Sequence, residues 1–551
     1  MSSVMSYLHP HIVTSVVDNS AVIPTATVTN GTALYMPYVS DRGVDGVIEC
    51  YTSYSQFIMD KGTPNFKRHG QPIYNILQFL NGGGIVYCMR IMPEDAEFAT
   101  GTLSTQPIEF ETTIDTENPD GSMTDDEDNV ITTVEVEPVQ LAVFKCKGRG
   151  AYGNRFRVDV KYNKTLSAQY GMTMYDFMVY ENNKLIEGPF YCALDPYATN
   201  SSGTSLFLAS VINRYSNSVI CEFDEDKYDE LVIAIGAEEA AKNILTTKPG
   251  EIISISLEGG KDGHFEEVID EESPQEGSLE HAYIAAYGKK ELESKRFYPI
   301  DVLLDAGFSG GIRKAILSLA ELRGDCMAFC DCPNASPNAG VAGADQFAVD
   351  TFSRTSAFYC QRFVVYDPFT RTDMDVSMCY FLAYKIPYND SAYGMHMPLA
   401  GAYRGVISGF KSMNYNPIKP EEKETLYLSR VNYAEQDYRQ TKLMSQLTAQ
   451  ETTSALSNIN NMRVLLRMIR VVEEISEGYY FEFANATTLN NFQAAINNYL
   501  QEWTANGACT YAAGTVYQND YDIVQKIVRV NIELIFTGII ERISITFNVG
   551  N

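Results

Sequence analysis

At 551 residues the chain is longer than one hydrophobic core usually serves, so about three or four domains are expected. Its hydrophobic content of 45% and mean hydropathy of −0.16 describe a folded, water-compatible polypeptide. A formal charge of −28 and a pI near 4.6 argue against direct nucleic-acid binding, since phosphate contacts need a surplus of Lys and Arg; such acidity serves solubility or matches a basic partner.

The opening MSSVMSYLHPHIVTSVV lacks the cationic segment and long apolar block of a signal peptide, and no apolar run approaches the roughly 20 residues of a membrane helix. Folding in a cytosol is therefore expected, without direct membrane insertion. The 11 cysteines then begin as thiols, and their scattered spacing supports no disulfide framework. Cys326, Cys330 and Cys332 fall at even offsets of an expected strand, so they share one face as small core residues and do not read as a zinc site.

In chain order, SYSQFIMDKG carries Ser53 and Gln56 at capping-box spacing. In QPIYNILQFLNGGGIVYCMRI, Ile73, Ile76, Leu77 and Leu80 share a helical face, Gly82 to Gly84 stop the helix, and IVYCMRI reads as a buried strand. From about Asp95 the character changes to β-rich sequence with acidic runs, the longest being ETTIDTENPDGSMTDDEDN. Near Arg296 the α/β pattern resumes, with FYPIDVLLDAG as a strand, SGGIRKAILSLAELRG as a helix capped at Gly324, and CMAFCD as a strand. Two amphipathic helices follow. Met462, Leu465, Leu466, Ile469 and Val472 stripe the first; Leu489, Phe492, Ile496, Tyr499, Leu500 and Trp503 stripe the second, which ends before Gly507. The chain closes with alternating Val528, Val530, Ile532, Leu534 and Phe536, a turn at Gly538, then alternating Ile543, Ile545, Phe547 and Val549. A terminal strand this regular must pair with something, because an unpaired apolar edge invites aggregation.

Three motif matches carry possible chemistry. Gly148, Gly150 and Gly153 match the dinucleotide fingerprint, but they run into the alternating strand NRFRVDVKYN and not into a helix whose N-terminus would hold pyrophosphate. Gly307-Phe308-Ser309-Gly310-Gly311 matches the nucleophile elbow between strand and helix; a triad would need His396, the one His downstream, while the plainer reading makes Ser309 the helix N-cap. Asn118, Asp120, Gly121 and Glu127 fall at calcium-loop spacing, yet the first ligand position is Thr116, with Asp115 out of register. No Walker A sequence, H-E-x-x-H or paired C-x-x-C occurs, so an enzyme is not called for and no cofactor is expected.

Several stretches, taken in order, resemble the contractile tail sheath proteins of bacteriophages, which are related to the sheaths of R-type pyocins and type VI secretion systems. PYVSDRGVDGVIECYTSYSQFIMDKG and NGGGIVYCMRI resemble the family's first segments; GAYGNRFRVDV resembles its G-x-x-GN stretch; AYGMHMPLAGAYRGVISG and LYLSRVNYAEQ resemble later ones. The NNMRVLLRMIR helix, FEFANATTLNNFQAAINNYLQEWTANGA and the closing strands resemble its C-terminal domain. The family often has an aromatic where this chain has Met395 or His396; as a packing position, that removes the triad's His.

The resemblance implies an α+β multidomain, tail-sheath-like chain: an inner α/β domain built from both chain ends, β-rich outer insertions and strand-exchanging terminal arms. The expected division is 1–20 as the N-terminal arm, 21–95 with 281–410 as a middle α/β domain, 96–280 as the insertion, and 411–551 as the inner, tube-facing domain. Exchange between subunits would use Ile12, Thr14 and Val16 of the first arm and Ile543, Ile545, Phe547 and Val549 of the last. Implied partners are other copies in hexameric rings stacked helically, a tail tube protein, and baseplate and tail-terminator proteins. Contraction would drive the tube through a host envelope for genome delivery, from a virion tail assembled in host cytoplasm. Arg463, Arg467 and Arg470, on one face of the first C-terminal helix, are tube-contact candidates, and Cys509 is a candidate for an inter-subunit disulfide. The alternatives are a serine hydrolase using Ser309 and His396, and another virion structural protein of baseplate or capsid.

Overall fold

The computed structural model describes residues 31–114, 130–236, 242–245, 250–269, 274–332, 353–541 and 544. The expected arm residues Ile12, Thr14 and Val16, the final Ile543, Ile545, Phe547 and Val549, and the calcium-like loop all lie outside them.

ALYMPY (Ala33–Tyr38, β1) and IVYCMR (Ile85–Arg90) are buried at every position, the mark of parallel strands covered on both faces. With Ile48–Tyr51 as β2 and Ile85–Arg90 as β3, they join Val302–Leu304 (β4), Met327–Asp331 (β5), Ser356–Tyr359 (β6) and Val431–Asn432 (β7). The seven strands lie in the order β2-β3-β1-β4-β5-β6-β7. All neighbours are parallel except β2 and β3.

Alternation along each strand divides the core in two. Leu34, Met36, Val86, Cys88, Val302 and Phe329 face Pro72–Asn81 (α1) and Met378–Ala392, whose Ile73, Ile76, Phe381 and Leu382 fill that layer. Tyr35, Tyr87, Leu303, Ala328 and Phe358 face Leu279–Tyr287 (α2) and Gly310–Arg323 (α3), with Tyr287, Ile312 and Ile316. Cys326, Cys330 and Cys332 share this second layer, as their even spacing implied. Met378–Ala392 is α4, Ile459–Glu477 α5 and Ala486–Ala505 α6.

The local signals are met where they were read. Ser53 accepts from the Gln56 N–H ahead of the helix Tyr54–Lys61, α1 stops at Gly82, and α3 ends at Gly324 with φ of 62°. Gly148 and Gly150 precede a 3₁₀ turn, Ala151–Arg155, that contains Gly153 and leads into the strand Phe156–Tyr162, so no α-helix N-terminus stands there for a pyrophosphate. Gly148 is required for a different reason: a Cβ there would lie 1.9 Å from the Gly43 carbonyl oxygen.

Residues 100–147 and 154–258 form a compact unit of their own. It holds a four-stranded antiparallel sheet (Phe156–Tyr162, Tyr175–Glu181, Lys184–Cys192, Ile252–Ser256) and a three-stranded one (Thr100–Ser104, Gln140–Cys146, Val219–Phe223). Helices Lys164–Tyr170, Leu208–Tyr215 and Glu225–Ile235 belong to it, and Phe144 and Phe177 meet in its core with ring centroids 6.0 Å apart. The unit that carries the parallel sheet also carries α5, α6 and the terminal hairpin. Among the described residues no helix is long and apolar enough to cross a membrane.

Candidate functional site

The C-terminal part of the parallel-sheet unit holds Arg463, Arg467, Arg470 and Cys509. Helix α5 has two apolar sides. Ile459, Met462 and Leu466 enter the core of the parallel sheet, while Val464, Met468, Val472 and Ile475 enter a second core with Phe492, Ile496 and Leu500 of α6. A helix clasped between two cores has little solvated face left over its first half.

That clasp places Arg463, Arg467 and Arg470, the tube-contact candidates, against carboxylates of the same chain. Arg463, only 3% exposed, grips Asp390 with Nη1 2.9 Å from Oδ1 and Nη2 2.5 Å from Oδ2. Arg467 holds Asp301 through Nε at 3.0 Å and Nη2 at 2.8 Å. Arg470 reaches Asp301 at 2.6 Å and Asp325 at 3.1 Å. Asp301 precedes β4, Asp325 precedes β5, and Thr32, which donates to Asp390, precedes β1. The ladder therefore pins α5 to the N-terminal edge of the sheet. Buried ions persist only when paired. Burial pushes the Asp301 carboxyl up, but Arg470 and Arg467 outweigh it and hold it below the ordinary carboxylate value. Burial wins at Asp325, which is raised despite Arg323 and Arg470.

The second feature is the terminal hairpin. Cys509–Tyr517 (β8) pairs antiparallel with Arg529–Phe536 (β9), Val516 opposite Val530 and Gly514 opposite Ile532. Val530, Ile532, Leu534 and Phe536 turn inward onto α6, as their alternation required. The partner of the first closing strand is thus upstream in the same chain.

The two edges of this hairpin differ. On β8, the Gly514 N–H donates to Asn497 Oδ1 at 2.7 Å, its carbonyl accepts from Asn497 Nδ2 at 2.9 Å, and the Val516 N–H donates to Gln493 Oε1 at 2.9 Å. Asn497 and Gln493 sit on α6, so side-chain amides occupy the places a further strand would take. Gly514 permits this approach, since a Cβ would stand 2.9 Å from Ile496. Because Gly514 and Val516 turn their backbone groups away from β9, Ile532 and Val530 opposite them turn theirs away from β8. Among the described residues no hydrogen bond reaches the outward groups of Val530, Ile532 and Leu534. Among the described residues, one edge is plugged and the other is open.

Cys509, the candidate for an inter-subunit disulfide, is 3% exposed and lies in the core beneath α6. Burial pushes its thiol pKa up as well. The hydrolase reading fails on geometry: Ser309 is at the N-cap position of α3, but its Oγ is buried without a hydrogen-bond partner, so no Ser–His pair exists among the described residues. No side chain caps α3; Asp305 Oδ1 instead accepts from the N–H groups of Ala306 and Phe308 in the turn that leads into it. His396 lies instead where its carbonyl accepts from Asn460 at the start of α5, and the neighbouring Met395 packs on the terminal core.

Asp301, Asp325, Asp390, Asn497 and Gln493 went unmarked in the sequence reading. A signal existed for Asp301, an acid directly before the apolar VLL of an expected buried strand.

No protein-family model and no curated protein matches the sequence. Among solved structures, the chain is similar over 94% of its length to 98% of the sheath tail protein Lin1278 from Listeria innocua, with a TM-score of 0.55 and 11% identity. It also aligns over 97% of its length with all (100%) of a sheath tail protein from Desulfitobacterium hafniense, at TM-score 0.46 and 10% identity. With the sheath complex of an extracellular contractile injection system in contracted state, it aligns over 45% of its length and 70% of that chain, at TM-score 0.40 and 17% identity. The mixed α/β chain has the fold of a tail sheath protein, in agreement with the resemblance of its ordered segments.

Proposed function

We propose that this chain is the structural subunit of a contractile tail sheath, assembling with copies of itself into hexameric rings stacked helically around a tail tube. The observation that carries the reading is the likeness to the sheath tail protein along nearly the whole of both chains. The hairpin supplies a means of assembly: the β9 edge, which no other described residue occupies, offers backbone groups to a strand from a neighbour, and the alternating segments 11–18 and 543–549 have the pattern of such strands. Strand addition keeps subunits connected while other contacts are exchanged, which suits a lattice that shortens by rigid-body movement.

On this reading, contraction drives the tube through a cell envelope for genome delivery, with the sheath held between baseplate and tail-terminator proteins in a virion tail. Recognition of the tube falls to groups other than Arg463, Arg467 and Arg470 while those remain engaged with Asp390, Asp301 and Asp325. Negative-stain electron microscopy of the protein expressed alone tests the proposal. Long hollow tubes with helical striations are expected. Monodisperse particles that stay so as concentration and salt rise would overturn it.

A further inference from the structure

Two thiols stand side by side on the parallel sheet. Asp331 at the end of β5 is in register with Tyr359 at the end of β6, and the Cys332 N–H continues the ladder by donating to the Tyr359 carbonyl at 2.9 Å. In a parallel pair that bond sets Cys332 beside Cys360. Both side chains enter the same core layer, with Phe358, Ala328 and Cys330. Neighbouring strands lie about 4.8 Å apart, within the Cα separation of roughly 4.4–6.8 Å that a disulfide spans.

We propose that Cys332 and Cys360 form a reversible dithiol–disulfide lock across β5 and β6, open in a thiol-rich medium and closed by a small-molecule disulfide. The chemistry is thiol–disulfide exchange. The Cys332 thiolate attacks one sulfur of oxidised glutathione and expels the other half as a thiolate, leaving a mixed disulfide. Cys360, deprotonated in turn, attacks the Cys332 sulfur and expels the second half. Two protein thiols and one glutathione disulfide become one protein disulfide and two molecules of glutathione.

Both thiols are buried, at 3% and 1% exposure, so closure awaits local opening of the strand ends and is slow. Burial also pushes the Cys332 thiol up, which keeps the thiolate scarce and makes closure faster in alkaline buffer. Once formed, the bridge joins residues 332 and 360 and constrains the unfolded chain between them. The lock needs no second subunit, and it does not depend on the sheath reading.

The test uses the full-length protein incubated with oxidised glutathione, then denatured with an excess of an alkylating maleimide and mapped by mass spectrometry. Two fewer alkylated cysteines than the 11 present, and a peptide pair joined through Cys332 and Cys360, are expected. A thiol reductant should restore full alkylation. Cys332→Ser and Cys360→Ser should each prevent the joined pair from forming. Full alkylation after oxidation, or a bridge between other cysteines in the wild-type protein, overturns the proposal. That peptide map decides the matter even if a serine variant folds poorly.

Discussion

Arg463 and Asp390 form a two-pronged ion pair that is closed to solvent, with side-chain exposures of 2% and 8%. Arg463 comes from α5 and Asp390 from α4, so the pair joins the helix that packs on α6 to a helix of the sheet's own core. Removing one member leaves the other charged and buried, which costs about 3–5 kcal/mol, whereas replacing both with apolar residues of similar volume is close to neutral. Arg463→Ala should therefore lower stability by that order in denaturant unfolding. Arg463→Met combined with Asp390→Leu should recover most of the loss. Equal effects of the single and double variants would show that the pair does not act as a unit.

Asp301 makes a prediction with a definite direction in pH. Its folded-state pKa lies below the ordinary 3.8 because Arg470 and Arg467 outweigh burial. A depressed carboxylate contributes stability that is present above the unfolded value and lost as pH falls through the folded one. Wild type should thus exceed Asp301→Asn in thermal unfolding midpoint at pH 7, and the gap should close as the pH drops below 4. A gap that stays constant from pH 7 to pH 3 would mean the charge is not what matters at this position.

The arginine ladder also marks what periodicity can and cannot tell. Spacing placed Arg463, Arg467 and Arg470 on one helical face correctly, but it carries no information about what that face meets. Their partners lie 73 residues away at Asp390 and 166 at Asp301, beyond any local pattern. Helix α1 was legible because its signals are local: apolar Ile73, Ile76, Leu77 and Leu80, then Gly82. The β8 strand escaped notice for the opposite reason. In TYAAGTVY, Ala512, Ala513 and Gly514 are poor strand formers, tolerated because α6 approaches closely there and supplies Asn497 and Gln493. With β8 unseen, β9 had no partner upstream to pair with in the reading.

Asp331 should act in the opposite sense to Asp301. Burial, joined by the charge of Asp305, raises its carboxyl from 3.8 to about 7, although Ser377, Arg313 and Arg362 oppose the shift. A group raised on folding contributes fully below its unfolded value, and that contribution is lost as pH rises through the folded one. The slope inside the window is roughly 1 kcal/mol per pH unit. Wild type should lose stability relative to Asp331→Asn between pH 5 and pH 8, measured as the difference in unfolding midpoint. Parallel pH profiles for the two proteins would refute the assignment.

The asymmetry of the terminal hairpin allows folding and assembly to be separated by one residue. The Val530 N–H points away from β8, because its partner Val516 turns its own N–H to Gln493. Asn531, one position on, sits opposite Thr515 in a pair whose backbone groups face each other. Proline removes the N–H wherever it is placed and is tolerated where that N–H faces outward. Val530→Pro should leave the β8–β9 ladder and the fold intact, with near-wild-type circular dichroism, while abolishing tubes in electron micrographs because an incoming strand loses a donor and meets a ring. Asn531→Pro should disrupt the hairpin itself, lowering the unfolding midpoint and solubility. Tubes from Val530→Pro indistinguishable from wild type would mean that the β9 edge is not where a neighbour's strand is added.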